Sequence, residues 1–424
     1  MNILNIKMKK EYKILIIIGI IYLSFLLLFI SKYNFNPSAT IELLENHTKI
    51  FNGKIPDGLV VHEYKNVGSD GQAYYFMALN PTLEKVNIRP NFLQRMFYPF
   101  LAKILSLNIN SLLPIAFILI NLASILISSY ALLILLKKYN ANPNLIFLWV
   151  FNVGFLICIT RNLTEPLMIC FIALMVYFFE KENHHLAASC LALSLLTREL
   201  AITVYVAMLL YFLMKKDFRK LVIYSLSIIP FAIWEIILTY KTGIFPLIIS
   251  FQAISKLPTA FLNYFYAFMP NLKHYIVEPL AGSQSLAGSQ SLAGSQSLAG
   301  SQSFLFNYLK NINKIFSSLP ILLFTLVQLI ILIINFLKEK KITKYALLLL
   351  SQIALILILQ KDLVCEHTIE AVGRYALPMF FFSILYFSER GKKYNKLLTT
   401  LLILASVLYF IQRFIFPKGG FWIT

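Results

Sequence analysis

One acid and four arginines stand out from an otherwise apolar chain. Asp70 lies in the polar run Ser69-Asp70-Gly71-Gln72-Ala73-Tyr74-Tyr75, and Arg95, Arg161, Arg198 and Arg374 each fall at the edge of an apolar segment. A carboxylate can take a proton from an attacking hydroxyl. Arginine stays charged and its planar fork gives bidentate hydrogen bonds to phosphate oxygens. Together the two residue types suit the attack of a hydroxyl on a carbon that carries a phosphate leaving group, with charge stabilised on the departing phosphate. Asp70 fits the first role, and Arg95, Arg161, Arg198 or Arg374 the second. A plainer account stands beside this one: Ser69 or Asp70 caps a helix running through Gln72, Tyr74, Tyr75 and Ala78 and ending before Pro81. In that account Arg95 snorkels to lipid headgroups, and Arg161 pairs with Glu165 and Arg198 with Glu199 to fix helix ends.

The elements that must carry these residues are membrane helices. Over 424 residues, 58% are hydrophobic and only 13% charged, a balance that excludes a soluble globular domain. The net charge of +19 comes from clusters in short loops: Lys7 to Lys13, Lys137-Lys138, Lys215 to Lys220, Lys338 to Lys344 and Arg390 to Lys396. Such clusters between apolar runs follow the positive-inside rule and report topology and attraction to anionic lipid rather than nucleic-acid binding.

A span needs about 20 apolar residues, fewer where helices pack together. The pattern predicts an all-α integral membrane protein with about eleven spans, at residues 14–31, 112–136, 145–160, 166–180, 186–197, 200–214, 221–240, 316–337, 345–360, 374–388 and 396–412. With the N-terminus inside, every basic cluster is cytoplasmic. The first run lacks a small-residue cleavage pattern and reads as an uncleaved span. Joining 186–214 into one helix would place Lys215 to Lys220 outside, so two short helices meeting near Arg198 are expected. The chain is then one polytopic domain, with long outer segments at 32–111 and 241–315.

In the first outer loop, Phe92, Leu93, Met96, Phe97, Phe100, Leu101, Ile104 and Leu105 recur at helical spacing, which predicts an amphipathic interfacial helix with Arg95 and Tyr98 close together on its other face. The second outer segment holds four copies of Leu-Ala-Gly-Ser-Gln-Ser at 280–303, the composition of a flexible linker. Glu165 follows Arg161 by four residues, Glu199 follows Arg198 directly, and Arg374 opens the tenth span after Glu366, His367 and Glu370. Charges near mid-membrane cost about 2.5–3.5 kcal/mol each on insertion scales, so a set of them on one face calls for a reason beyond solubility. Cys158, Cys170 and Cys190 lie in apolar runs and Cys365 in a polar one; they form neither a disulfide framework nor a metal pattern. Asn46-His47-Thr48 and Asn162-Leu163-Thr164 match the short glycosylation pattern.

The segments SDGQAYYFMA at 69–78, RMFYPFLAKIL at 95–105, LTRELA at 196–201 and GRYALP at 373–378 are similar to segments of the GT-C superfamily of polytopic membrane glycosyltransferases. The first two resemble its acidic-Gly-x-x-Tyr and Tyr-Pro-Leu pattern. The resemblance covers most of the chain in topology and four short stretches in sequence. It implies a polyprenyl-phosphate sugar donor, transfer to a hydroxyl of a glycan, lipid or protein acceptor on the non-cytoplasmic face of the cytoplasmic membrane, inversion at the anomeric carbon, and Asp70 as the base. Gln72, Tyr74, Arg95, Tyr98, Arg161, Glu165, Arg198, Glu199 and Arg374 would bind substrate and phosphate. Many members carry a second acid beside the base, whereas the nearest acids here are Glu63 and Glu84; lacking an Asp-x-Asp pair, the chain is expected to need no metal and no other cofactor. The alternative is a transporter or glycolipid flippase with a charge-lined path, although the two halves show no internal symmetry. A third reading is an accessory subunit whose charges only tie helix ends.

Overall fold

The apolar stripe Ile14, Ile18, Tyr22, Leu26 and Ile30 recurs every four residues along α1 (Lys10–Ser31) and is buried, while Ile16, Ile17, Ile20, Leu23, Leu27 and Leu28 on its other faces are exposed. A helix apolar all round with one buried stripe is covered on its remaining faces by lipid rather than water. At 1.5 Å per residue, 22 residues reach about 33 Å, enough to cross a hydrocarbon core. The structure, a computed structural model, describes residues 10–44, 58–62, 70–82, 88, 90–247, 324–340, 342–365 and 374–391. The repeat at 280–303, the expected span at 396–412, the acids Glu63, Glu84, Glu366 and Glu370, and the Asn46 pattern lie outside the described residues.

Beyond α1, Asn36 caps a short 3-10 turn at Pro37–Ile41 by accepting from the Ser38 amide at 3.0 Å. Two-residue strands β1 (Leu43–Leu44) and β2 (Val61–His62) then pair in parallel, Leu43 opposite Val61; the fold is otherwise helical. Next come α2 (Asp70–Leu79), α3 (Pro90–Leu93), α4 (Phe97–Leu105) and the long α5 (Leu113–Lys138). The single interfacial helix expected across Phe92–Leu105 is broken at Gln94–Met96. Pro99 explains this: it lacks an N–H to bond the carbonyl four residues back and is tolerated only in a helix's first turn, so α4 starts just before it.

The expected span at 145–160 is likewise two pieces, α6 (Leu145–Val150) and α7 (Val153–Thr160). Between them Asn152 is extended, and its side chain accepts from the Gly154 amide at 2.8 Å, a cap that ends one helix and starts the next. After α8 (Glu165–Glu180), the chain breaks where the charges at 198–199 predict: α9 (His184–Thr197), extended Arg198, a 3-10 turn at Glu199–Ala201, then α10 (Ile202–Lys215). Helices α11 (Phe218–Ser225) and α12 (Ile229–Thr242) join through a 3-10 turn into one long apolar rod. The described chain ends with α13 (324–339), α14 (Lys344–Cys365) and α15 (Leu377–Glu389).

Among the described residues, three helices are long and apolar enough to cross a membrane: Glu11–Ser31, Asn110–Lys138 and Phe218–Thr242. His184–Thr197, Lys344–Ile356 and Leu377–Glu389 are apolar but shorter. Helix α15 is buried on every face from Leu377 to Ser388 and forms the centre of the bundle. Its placement matters because it delivers Arg374, just before it, to the middle of one end.

The two ends of the bundle carry different cations. At one end Glu180 binds Lys138 at 2.6 Å and Tyr345 at 2.6 Å, with Lys344 and Tyr139 also on its carboxylate, and Lys137 pairs with Glu11. This lysine-rich cluster ties α1, α5, α8 and α14. Glu165 begins the same α8 that Glu180 ends, and a 16-residue helix puts the two acids about 22 Å apart along its axis. Arg95, Arg198 and Arg374 meet at the Glu165 end, whereas Arg390 pairs with Glu339 near the lysine cluster.

Candidate functional site

Asp70 opens α2, whose residues from Gly71 to Ala78 are all buried. What seats this helix is Gly71: a Cβ there would stand 2.2 Å from the Arg161 carbonyl oxygen and 3.1 Å from that of Ile41. No side chain fits that approach, so the glycine lets the acid's own backbone touch the end of α7. Arg374 Nη1 donates to Asp70 Oδ2 at 3.1 Å, and Arg95 Nη1 stands 3.7 Å from the same oxygen. Oδ1 makes no hydrogen bond or ion pair among the described residues, and the side chain keeps 18% exposure. Burial raises the Asp70 carboxyl, but the guanidiniums of Arg374, Arg95 and Arg198 outweigh it and hold the group below its ordinary value.

Arg95 is fully engaged. Its Nε and Nη2 grip both Glu199 carboxylate oxygens at 2.9 and 2.8 Å, and Nη1 donates to the Tyr74 hydroxyl at 2.7 Å. Glu199 is raised by burial and lowered further by Arg95, so it too sits below its ordinary value. Arg198 and Glu165 form a second pair at 2.9 Å, both side chains wholly buried, and Arg198 also donates to the Thr164 hydroxyl at 3.0 Å. Arg374 Nε reaches the same Glu165 oxygen at 3.5 Å and joins the two halves. Both guanidiniums lie near the Tyr375 ring, 5.0 Å away for Arg198 and 5.1 Å for Arg374. Nε and Nη2 of Arg198 are buried without a hydrogen-bond partner among the described residues. Both carboxylate oxygens of its partner Glu165 likewise lack hydrogen-bond geometry with a described residue, and buried polar atoms of charged groups are costly to leave unmade.

The cluster thus unites Asp70, Tyr74, Arg95, Glu165, Arg198, Glu199 and Arg374. The pairing predicted from chain neighbours does not occur. Arg198 is extended (φ −159, ψ 129), so it and Glu199 point to opposite sides: Arg198 turns to Glu165 and Glu199 to Arg95. Arg161 turns from Glu165 to Glu42, at 3.1 Å. It meets the site through its carbonyl over Gly71 rather than through its charge.

Two expected residues stand behind the site. Tyr98 is completely buried against the edge of the Tyr74 ring, 5.7 Å between centroids, and its hydroxyl accepts from Asn121 at 2.9 Å. Arg95 and Tyr98, expected on one helix face, fall in the break before α4 and within α4, and both touch Tyr74. Gln72 faces β1, with the Leu44 amide 3.5 Å from its carbonyl oxygen.

Comparison with family models, curated proteins and solved structures finds no match. Among the described residues no group of three or more His, Cys, Asp or Glu side chains is arranged to hold a metal ion.

Sequence reasoning missed Thr164, Tyr375 and Glu42. Tyr375 lies inside the GRYALP segment and Thr164 precedes Glu165, so adjacency to a site residue was their signal.

Proposed function

We propose that the chain is a membrane-embedded glycosyltransferase that moves a sugar from a polyprenyl-phosphate donor to an acceptor hydroxyl, with inversion, at the arginine-rich end of the bundle. The topology that goes with this reading has about eleven spans, the lysine-rich end in the cytoplasm and the site on the outer face of the cytoplasmic membrane. The observation that carries it is the meeting, in one cluster, of an acid oxygen and arginine donors that have no partner among the described residues: Asp70 Oδ1 and Arg198 Nε and Nη2.

The chemistry needs both. The acceptor oxygen bonds to the anomeric carbon as the bond from that carbon to the phosphate oxygen breaks, the hydroxyl proton passes to Asp70 Oδ1, and the electron pair leaves with the phosphate. In this reading Arg374 and Arg198 would neutralise that phosphate. The arginines keep Asp70 ionised and able to accept at neutral pH, at some loss of basicity. Exposed Phe100, Ile104 and Leu105 on α4 offer an apolar surface beside the site for the lipid chain.

A second reading has its own observation. Arg95, Arg198 and Arg374 are balanced by Asp70, Glu165 and Glu199, and charge-balanced buried clusters also serve only to tie helix ends. A transfer assay with purified protein and polyprenyl-phosphate-linked sugar separates the two. The enzyme reading expects turnover that Asp70→Asn abolishes while the protein stays folded; unchanged turnover in that variant removes Asp70 as the base, and a wild type that transfers nothing from any such donor leaves the structural tie.

A further inference from the structure

At the lysine-rich end the chain leaves α8 through Lys181 and Glu182 and turns at once into α9, against which α11 packs. Asn183 caps α9 by accepting from the Leu186 amide at 3.2 Å, and Asp217 caps α11 by accepting from the Lys220 amide at 3.2 Å. Both helix starts border one cavity of about 440 Å³, a volume within the range of about 300–1,000 Å³ usual for ligand sites. Lys181, His184, His185, Arg219 and Lys220 line it, and Glu182 is the one acid among its lining residues. His184 is held by the Phe179, Phe212 and Tyr224 rings, whose centroids stand 5.6, 6.4 and 6.2 Å from its own. Its Nδ1 is buried with no hydrogen-bond partner among the described residues.

Positive charge prevails in this cavity. Asp217 pairs with Lys220 at 3.0 Å, and Lys181 Nζ lies 4.5 Å from the centre of the Tyr177 ring. Arg219 lines the cavity and has no ion pair among the described residues. The first-turn amides of α9 and α11, which lack partners within their helices, add partial positive charge at the same place. Lys181, Arg219 and Lys220 against Glu182 and Asp217 favour an anion over a metal ion, and arginine and lysine together suit phosphate oxygens. The adjoining surface tells which kind of phosphate. Phe218, next to Arg219, begins an exposed apolar stripe that continues at helical spacing through Val222, Leu226, Ile229 and Ile233 along the membrane-length rod Phe218–Thr242. A free phosphate has no use for that stripe. A phospholipid lays its acyl chains on it while its headgroup meets the cations.

We infer that this cavity binds the phosphate headgroup of an anionic phospholipid, in the leaflet at the lysine-rich end and at the opposite end of α8 from Glu165. The site stands whether or not the arginine-rich end is a glycosyltransferase. It differs from the diffuse attraction that any basic loop has for an anionic surface. Summed charge would give Lys215 and Lys216, on the same loop, as much weight as Arg219, whereas the cavity is lined by Arg219 and Lys181 and by neither of those two.

The test is affinity, measured on the purified full chain in a neutral detergent with phosphatidylglycerol, phosphatidylcholine and soluble glycerol phosphate. Wild type is expected to bind phosphatidylglycerol tightest of the three. Lys181→Gln and Arg219→Gln are each expected to weaken that binding about fivefold, the equivalent of about 1 kcal/mol per cation. Glu182→Gln removes the acid from the wall and is expected to tighten it, a gain that a damaged fold would not produce. Lys215→Gln with Lys216→Gln is expected to change it little. All five side chains are exposed, so the thermal midpoints without lipid should match that of wild type. A loss in the Lys215 and Lys216 variant equal to that in Arg219→Gln overturns the site in favour of diffuse attraction. Phosphatidylcholine bound as tightly as phosphatidylglycerol overturns the preference for an anion. Glycerol phosphate bound as tightly as the lipid overturns the lipid and assigns the cavity to a soluble phosphate.

Discussion

Arg374 donates to Asp70 across 304 residues of chain, from the start of the central helix α15 to the start of the short α2. Because α15 is buried on every face, this contact fixes the acid relative to the core of the bundle rather than to the loop it belongs to. Both guanidinium contacts fall on Oδ2 and turn Oδ1 away. Arg374→Lys keeps the charge but loses the planar fork, and is expected to lower turnover by an order of magnitude or more. Steady-state transfer rates, with the thermal midpoint as a control for folding, check this.

Asp70→Asn keeps the shape of the side chain and removes the proton acceptor. The expected loss is roughly 10²–10⁴-fold in turnover, the usual worth of a general base. Affinity for the bare polyprenyl phosphate should not fall, because the arginines remain. A parallel fall in binding would make Asp70 an organiser of the arginines instead.

Arg198 and Glu165 are wholly buried, so removing one partner strands the other's charge. Arg198→Ala and Glu165→Ala are each expected to destabilise the fold by about 3–5 kcal/mol. Their double variant should cost less than the two single costs added together. A thermal-unfolding double-mutant cycle reads the coupling, and additive costs would show that the pair does not act as one.

Gly71→Ala tests the close approach of α2 to α7. The new methyl would meet the Arg161 backbone carbonyl at 2.2 Å, and backbone cannot swing aside as a long side chain does. Moving α2 should cost about 1–3 kcal/mol and shift Asp70 from Arg374, so stability and turnover fall together.

Asp70 and Glu199 are both held below their ordinary values in the folded protein. A depressed acid contributes stability that is complete above its unfolded-state value, about 3.9 for Asp and 4.3 for Glu. That contribution disappears as pH falls through the lower folded-state values. The thermal midpoint should therefore be insensitive to these groups from neutral pH down to about pH 4 and fall below it. Arg95→Met removes the partner of Glu199, and the onset of that fall should move to higher pH.

Much of the architecture was legible because it depends on local pattern. Apolar runs and the basic loops between them mark the helices and sort their ends into a lysine-rich and an arginine-rich set, and the charges at 198–199 mark a helix break. The acid and three of the four arginines chosen from the sequence do meet. Where local chemistry competes with apolar periodicity, the pattern misleads: Asn152 caps a new helix inside one expected span, and Pro99 breaks the expected interfacial helix.

By itself, then, the sequence determined that this is a helical chain with spans apolar enough for a membrane and a rare set of charges at one end of them. Only the tertiary structure decided which charges meet. Arg198 chose Glu165 over its neighbour Glu199, and Arg161 chose Glu42. The physical reason is that burial forces each charge to the nearest opposite charge in space, and that distance is set by how helix ends pack. Residues hundreds of positions apart can be neighbours there, while adjacent residues on extended backbone face away from each other.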